Sequence, residues 1–63
     1  MSHIRWEEPF CGDSSNCFRI GTDASGNAYI AVSGSEDHYV TDSREALRAL
    51  IRDVKAGKAD HLL

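Results

Sequence analysis

Asp42 and Glu45, three residues apart at the head of a periodic apolar stretch, and Gly57 at its foot bracket one helix, which constrains this 63-residue chain more than any other feature. Asp42 with Glu45 is a capping-box pattern, in which each side chain accepts a backbone N–H that the first helical turn leaves unpaired. Gly57 supplies the left-handed residue that ends a helix. At about 100° per residue, Ala46, Leu47, Leu50, Ile51 and Val54 fall on one continuous stripe. The pattern predicts a helix over 43–56 whose stripe is core, laid on a sheet.

The residues ahead of it read as strands. Ile4, Trp6 and Phe10 suit an edge strand at 4–8 that Pro9 brings to an end. The small, polar run between Cys11 and Cys17 reads as a loop. Strands over 17–21 and 28–33 flank the turn Thr22–Asn27, and a short strand at 38–41 follows the turn Ser33–Asp37. Strands in sequence joined by short turns are antiparallel neighbours. The expected fold class is α+β: a small antiparallel sheet of three to four strands, then one C-terminal helix packed on one face, all in a single domain spanning 1–63. Ala28, Ile30 and Val32 share one face of their strand and Tyr29 and Ala31 the other, so both faces are apolar. One is expected to meet the helix, the other the N-terminal strand or a second subunit. The tail 58–63 is short, with Leu62 expected to dock.

A single core of this size barely offsets the entropy lost on folding, so a metal, a partner or a second copy is a common source of added stability. The net charge of −3 and the pI near 5.4 argue against indiscriminate nucleic-acid binding, which relies on an excess of Lys and Arg. No apolar run approaches the roughly 20 residues of a membrane span, and the N-terminus lacks a signal-peptide pattern. The expected location is the cytoplasm, where Cys11 and Cys17 are most often reduced and packed as small weakly polar residues; a secreted context would favour their pairing.

On the flank of the stripe, Arg44, Arg48, Arg52 and Lys55 fall within about a quarter turn of one another. One reading is a solvated face, steadied by cations near the helix C-terminus and by a Glu45–Arg48 pair. The other is a docking ridge for an acidic partner surface, where the planar guanidinium binds carboxylates through two bonds. DNA phosphate is a weaker candidate for the ridge, because ten acidic residues oppose a wider footprint. Trp6 is a core anchor, or an interface hot spot if it stands exposed on an edge strand. Tyr29 and Tyr39 share that ambiguity. The candidate partner-binding residues are therefore Trp6, Arg44, Arg48, Arg52 and Lys55.

Catalytic constellations are poor. Cys11 and Cys17 with His3, His38 or His61 lack zinc-motif spacing, so no metal or other cofactor is expected. A hydrolytic triad needs an oriented base and walls for a pocket that so short a chain scarcely offers. Adjacent Glu7 and Glu8 point to opposite sides of a strand, and the glycines around Thr22–Ser25 lack the lysine and the strand-to-helix context of a phosphate loop. Neither an enzyme nor a small-molecule substrate is expected.

The order of Trp6, Cys17 opening a strand after a Gly/Ser/Asn loop, Ala31-Val-Ser33, Thr41-Asp-x-x-Glu45, then Val54-Lys-Ala-Gly57 and Asp60 resembles the small actinobacterial domain of unknown function family 397, which includes BldB-type regulators. The similarity runs from Trp6 to about Asp60, and its evidence lies in order and spacing. The chain departs where it has Ser33-Gly34-Ser35 in place of Arg-Asp-Ser, Ala46 in place of a Trp, and an added Cys11. Roles tied to that Arg or Trp do not transfer. The resemblance implies a non-enzymatic regulatory protein that binds or antagonises a helix-turn-helix transcriptional regulator of the WhiJ type, or associates with itself. The alternatives are a small disulfide- or zinc-stabilised structural domain and a weak DNA-binding protein using the basic ridge.

Overall fold

The computed structural model describes residues 3–11 and 17–63. The loop expected between the cysteines, 12–16, lies outside the described residues. The strands are β1 (Arg5–Trp6), β2 (Phe18–Thr22), β3 (Asn27–Val32) and β4 (Val40–Ser43), followed by helix α1 (Arg44–Lys55) and a single 3₁₀ turn (Asp60–Leu62). The sheet is antiparallel in the order β1-β2-β3-β4, with α1 packed against β3 and β4. This is the expected α+β class. β1 is shorter than expected, because pairing breaks after the bond from the Glu7 N–H to the Ile20 carbonyl and resumes only at the Phe10–Phe18 bridge.

The helix cap falls one residue later than Asp42. Asp42 is held in the ladder opposite Ala28, and Ser43, extended at φ −74° and ψ 160°, is the N-cap, its Oγ accepting from the Ala46 N–H. Asp42 instead accepts the Ser43 N–H. At the other end Gly57 takes φ +89°, its N–H donates to the Val54 carbonyl, and the Lys58 N–H donates to the Asp53 carbonyl. That pair of bonds is a Schellman close, and it satisfies carbonyls that the last turn leaves open.

The β2–β3 turn is fastened by Asp23. Its Oδ1 accepts the Ser25 and Asn27 N–H groups at 2.9 and 3.0 Å, and its Oδ2 accepts the Asn27 amide at 3.2 Å and the Tyr29 hydroxyl at 2.5 Å. These bonds favour the charged carboxylate, the Tyr29 hydroxyl most, and hold its pKa down to about 2. The same bond raises the Tyr29 pKa. Arg19 donates to Glu36 at 3.0 Å and to the Glu7 carbonyl at 2.9 Å, tying the β3–β4 turn and the N-terminal segment to β2. That guanidinium lowers the Glu36 pKa.

Cys11 and Cys17 form a disulfide, with Cα atoms 4.7 Å apart. The reduced, packed thiols expected from the sequence are thus replaced by a covalent staple beside the Phe10–Phe18 bridge. Closing so short a loop stabilises by about 2 kcal/mol in the chain-entropy account.

Cys17, Ala28, Tyr29 and Ala31 are the buried apolar residues. Tyr29 and Ala31 face away from α1, whereas Ala28 lies on the helix side of β3. No residue of α1 is buried, which overturns the expectation that its stripe is core. The Leu62 side chain is also undocked, at 77 % exposure. The 3₁₀ turn bonds only within its own segment, so nothing draws that leucine back to the sheet.

Candidate protein-docking surface

Residues directly opposite in adjacent strands project from the same side of a sheet. The ladder Trp6–Gly21–Tyr29–Thr41 therefore lies on one face, and Ile20–Ile30–Val40 on the other, with Phe18–Val32 and Arg5–Thr22–Ala28–Asp42. Phe10, bridged to Phe18, joins the second set.

The first face is closed by aromatic packing. A Cβ on Gly21 would stand 2.9 Å from Trp6 Cε3, so the indole lies directly over that glycine. The Trp6 and Tyr29 rings are 6.4 Å apart, and Tyr39 meets Tyr29 edge-on at 5.0 Å. Tyr29 is buried and anchored through its hydroxyl to Asp23.

The second face is open. Between α1 and β3–β4 lies a cleft of about 250 Å³ whose walls include Ala28, Ile30, Val40, Leu47 and Leu50. Phe10 and Phe18 are each 65 % exposed, and Leu50 is 46 % exposed. Ile51 and Val54 on the same helix are similarly open. Uncovered apolar side chains thus stand both on the helix stripe and at the aromatic end of β2.

Arg44 shares a second cleft with His3, Arg5 and Thr22, so the helix flank that carries it looks toward β1 and β2. By helical spacing Lys55 and Arg48 lie within about 40° of Arg44 and Arg52 a further step round. Arg48 pairs with Glu45 as the sequence suggested. Among the described residues Arg44, Arg52 and Lys55 make no ion pair. The basic ridge is therefore the rim of the open face. Trp6 is half-buried on the opposite side of the sheet, so the structure does not bring it together with the four cations.

Phe10, Phe18 and Ile20 were not among the sequence candidates. The alternation of Phe18 and Ile20 was a usable signal, but their side of the sheet follows from long-range register. The Asp23 network was equally missed, although Asp followed by small polar residues and Gly26 marks such a turn. Among the described residues no group of three or more His, Cys, Asp and Glu side chains comes together, and no helix is long and apolar enough to cross a membrane. With both sulfurs in the disulfide, neither cysteine is a thiolate ligand. No family model, curated protein or solved structure matches this chain.

Proposed function

We propose that this chain is a non-enzymatic regulatory module that acts by binding another protein through its helix-side face. One observation carries the reading. The accessible surface is 5104 Å² for 6.9 kDa, whereas a compact monomer of that mass exposes about 4,000 Å². The difference exceeds the roughly 800 Å² that each partner contributes to a standard interface. The Cα radius of gyration, 12.4 Å, points the same way, since about 10.6 Å is typical of a compact chain of this length. Exposed apolar side chains on α1 and β2, among them Phe18, Leu50, Ile51 and Val54, contribute to that excess.

The family resemblance supplies the kind of partner: a helix-turn-helix transcriptional regulator, acted with or against, or a second copy of the chain. Native mass measurement and co-purification from the source cells test this. A complex is expected, and the pair Arg48→Glu and Arg52→Glu is expected to weaken it without unfolding the domain, since both side chains are exposed. A strict monomer that retrieves no partner contradicts the proposal.

The disulfide favours a second reading, a structural domain stapled by Cys11–Cys17. In that case reduction abolishes the fold, and no partner is needed. An oxidised pair also fits an oxidising compartment better than the cytoplasm expected from the sequence. Alkylation of the cysteines in intact cells decides between the two locations. For the weaker DNA reading, a salt-dependent shift on duplex DNA is the supporting result.

A further inference from the structure

Strands sit about 4.8 Å apart, so four of them present a face about 19 Å wide, while one helix with its side chains spans about 10 Å. α1 packs on β3 and β4 and covers β1 and β2 far less, approaching them at Arg44. The less covered half is one helix wide. Phe10, Phe18 and Ile20 form its floor, Val32 of β3 borders it beside Phe18, and helical spacing puts Ile51 on the adjoining flank of α1. Its rim is cationic, with Arg5 on β1 and Arg44, Arg48 and Lys55 along the helix flank. Glu7 beside Ile20, Asp23 in the cleft that Arg5 and Arg44 share, and Glu45 paired with Arg48 offset part of that charge, leaving Arg5, Arg44 and Lys55 without an ion pair among the described residues.

From this shape and charge we infer that the occupant is an amphipathic helix of a partner protein, lying alongside α1, with an apolar stripe toward β2 and carboxylates toward the basic ridge. This rests on the protein-binding proposal and names the chemistry of the partner. A second copy of the chain is a poor occupant. An isologous contact through this face brings Arg5, Arg44 and Lys55 toward the same cations of the other copy, a like-charge juxtaposition that disfavours pairing.

The test uses the whole chain and two capped synthetic peptides of about 16 residues, long enough to be marginally helical alone. They share one leucine stripe and differ only in flanking Glu or Lys. Titrations by fluorescence anisotropy at low and moderate salt are expected to show the Glu peptide binding at least tenfold tighter, with the gap narrowing as salt rises. The triple variant Arg44→Glu, Arg48→Glu, Lys55→Glu is expected to reverse the preference. Phe18→Ser is expected to weaken both peptides while leaving circular dichroism unchanged, because Phe18 is mostly exposed. Equal affinity for the two peptides, undiminished binding by Phe18→Ser, absence of binding, or a native dimer that Phe18→Ser dissociates each overturns the inference. In the first three cases a partner recovered from the source cells leaves the broader proposal standing; a strict monomer that retrieves none removes both.

Discussion

Gly21→Ala isolates the packing that holds the closed face. Gly21 lacks the positive φ that would make glycine obligatory, so the effect of an added methyl is steric. The new Cβ would lie 2.7 Å from Ile4 Cγ2 and 2.9 Å from Trp6 Cε3, against about 3.5–4.0 Å for ordinary carbon contacts. The indole and the Ile4 side chain must each retreat by roughly 1 Å, and overpacking of this kind costs about 1–3 kcal/mol. Loss of glycine entropy in the unfolded chain returns about 0.4–1 kcal/mol. The net, about 1–2 kcal/mol, corresponds to a fall in Tm of about 10 °C for a domain this small. Thermal unfolding followed by circular dichroism gives the stability, and the emission of Trp6, the one tryptophan, reports its displacement. An unchanged Tm together with an unshifted emission maximum would refute the placement of Trp6 over Gly21.

Reduction of Cys11–Cys17 is expected to lower stability by about 2 kcal/mol without changing the sheet, read as a shift of the urea midpoint with and without reductant. Asp23 has its folded pKa held at about 2, below its ordinary 3.8, so its contribution is complete above about pH 4 and is lost as pH falls toward 2. Asp23→Asn should lower stability at neutral pH and flatten that acid limb in urea melts run across the range. Leu50→Ser is expected to cost the isolated domain under about 1 kcal/mol, since the side chain is already half open, well short of the 2–5 kcal/mol typical of a buried leucine lost to alanine.

The helix and strand order were readable because their signals are local: Gly57 closes α1 within its own turn, and each hairpin carries its own turn residues. The capping residue was missed because Asp42 is claimed by a partner fourteen residues earlier, Ala28, and a ladder pairing of that kind leaves no mark in the local pattern. The stripe on α1 was legible as a stripe but not as exposed surface. Its burial depends on how many strands the helix spans and what else covers the sheet, quantities that periodicity does not contain. The ridge of Arg44, Arg48, Arg52 and Lys55 followed from helical spacing alone. That Trp6 lies across the sheet from it, and Phe18 beside it, depends on the registers Trp6–Gly21 and Phe18–Val32.

Carbene footprinting of the chain alone and in complex with its co-purified partner tests the docking face most directly. Phe10, Phe18, Leu50, Ile51 and Val54 should label heavily in the free chain and become protected in the complex, while Tyr29 stays unlabelled in both. Weak labelling of those side chains in the free monomer, or equal labelling in free and bound states, would contradict the account.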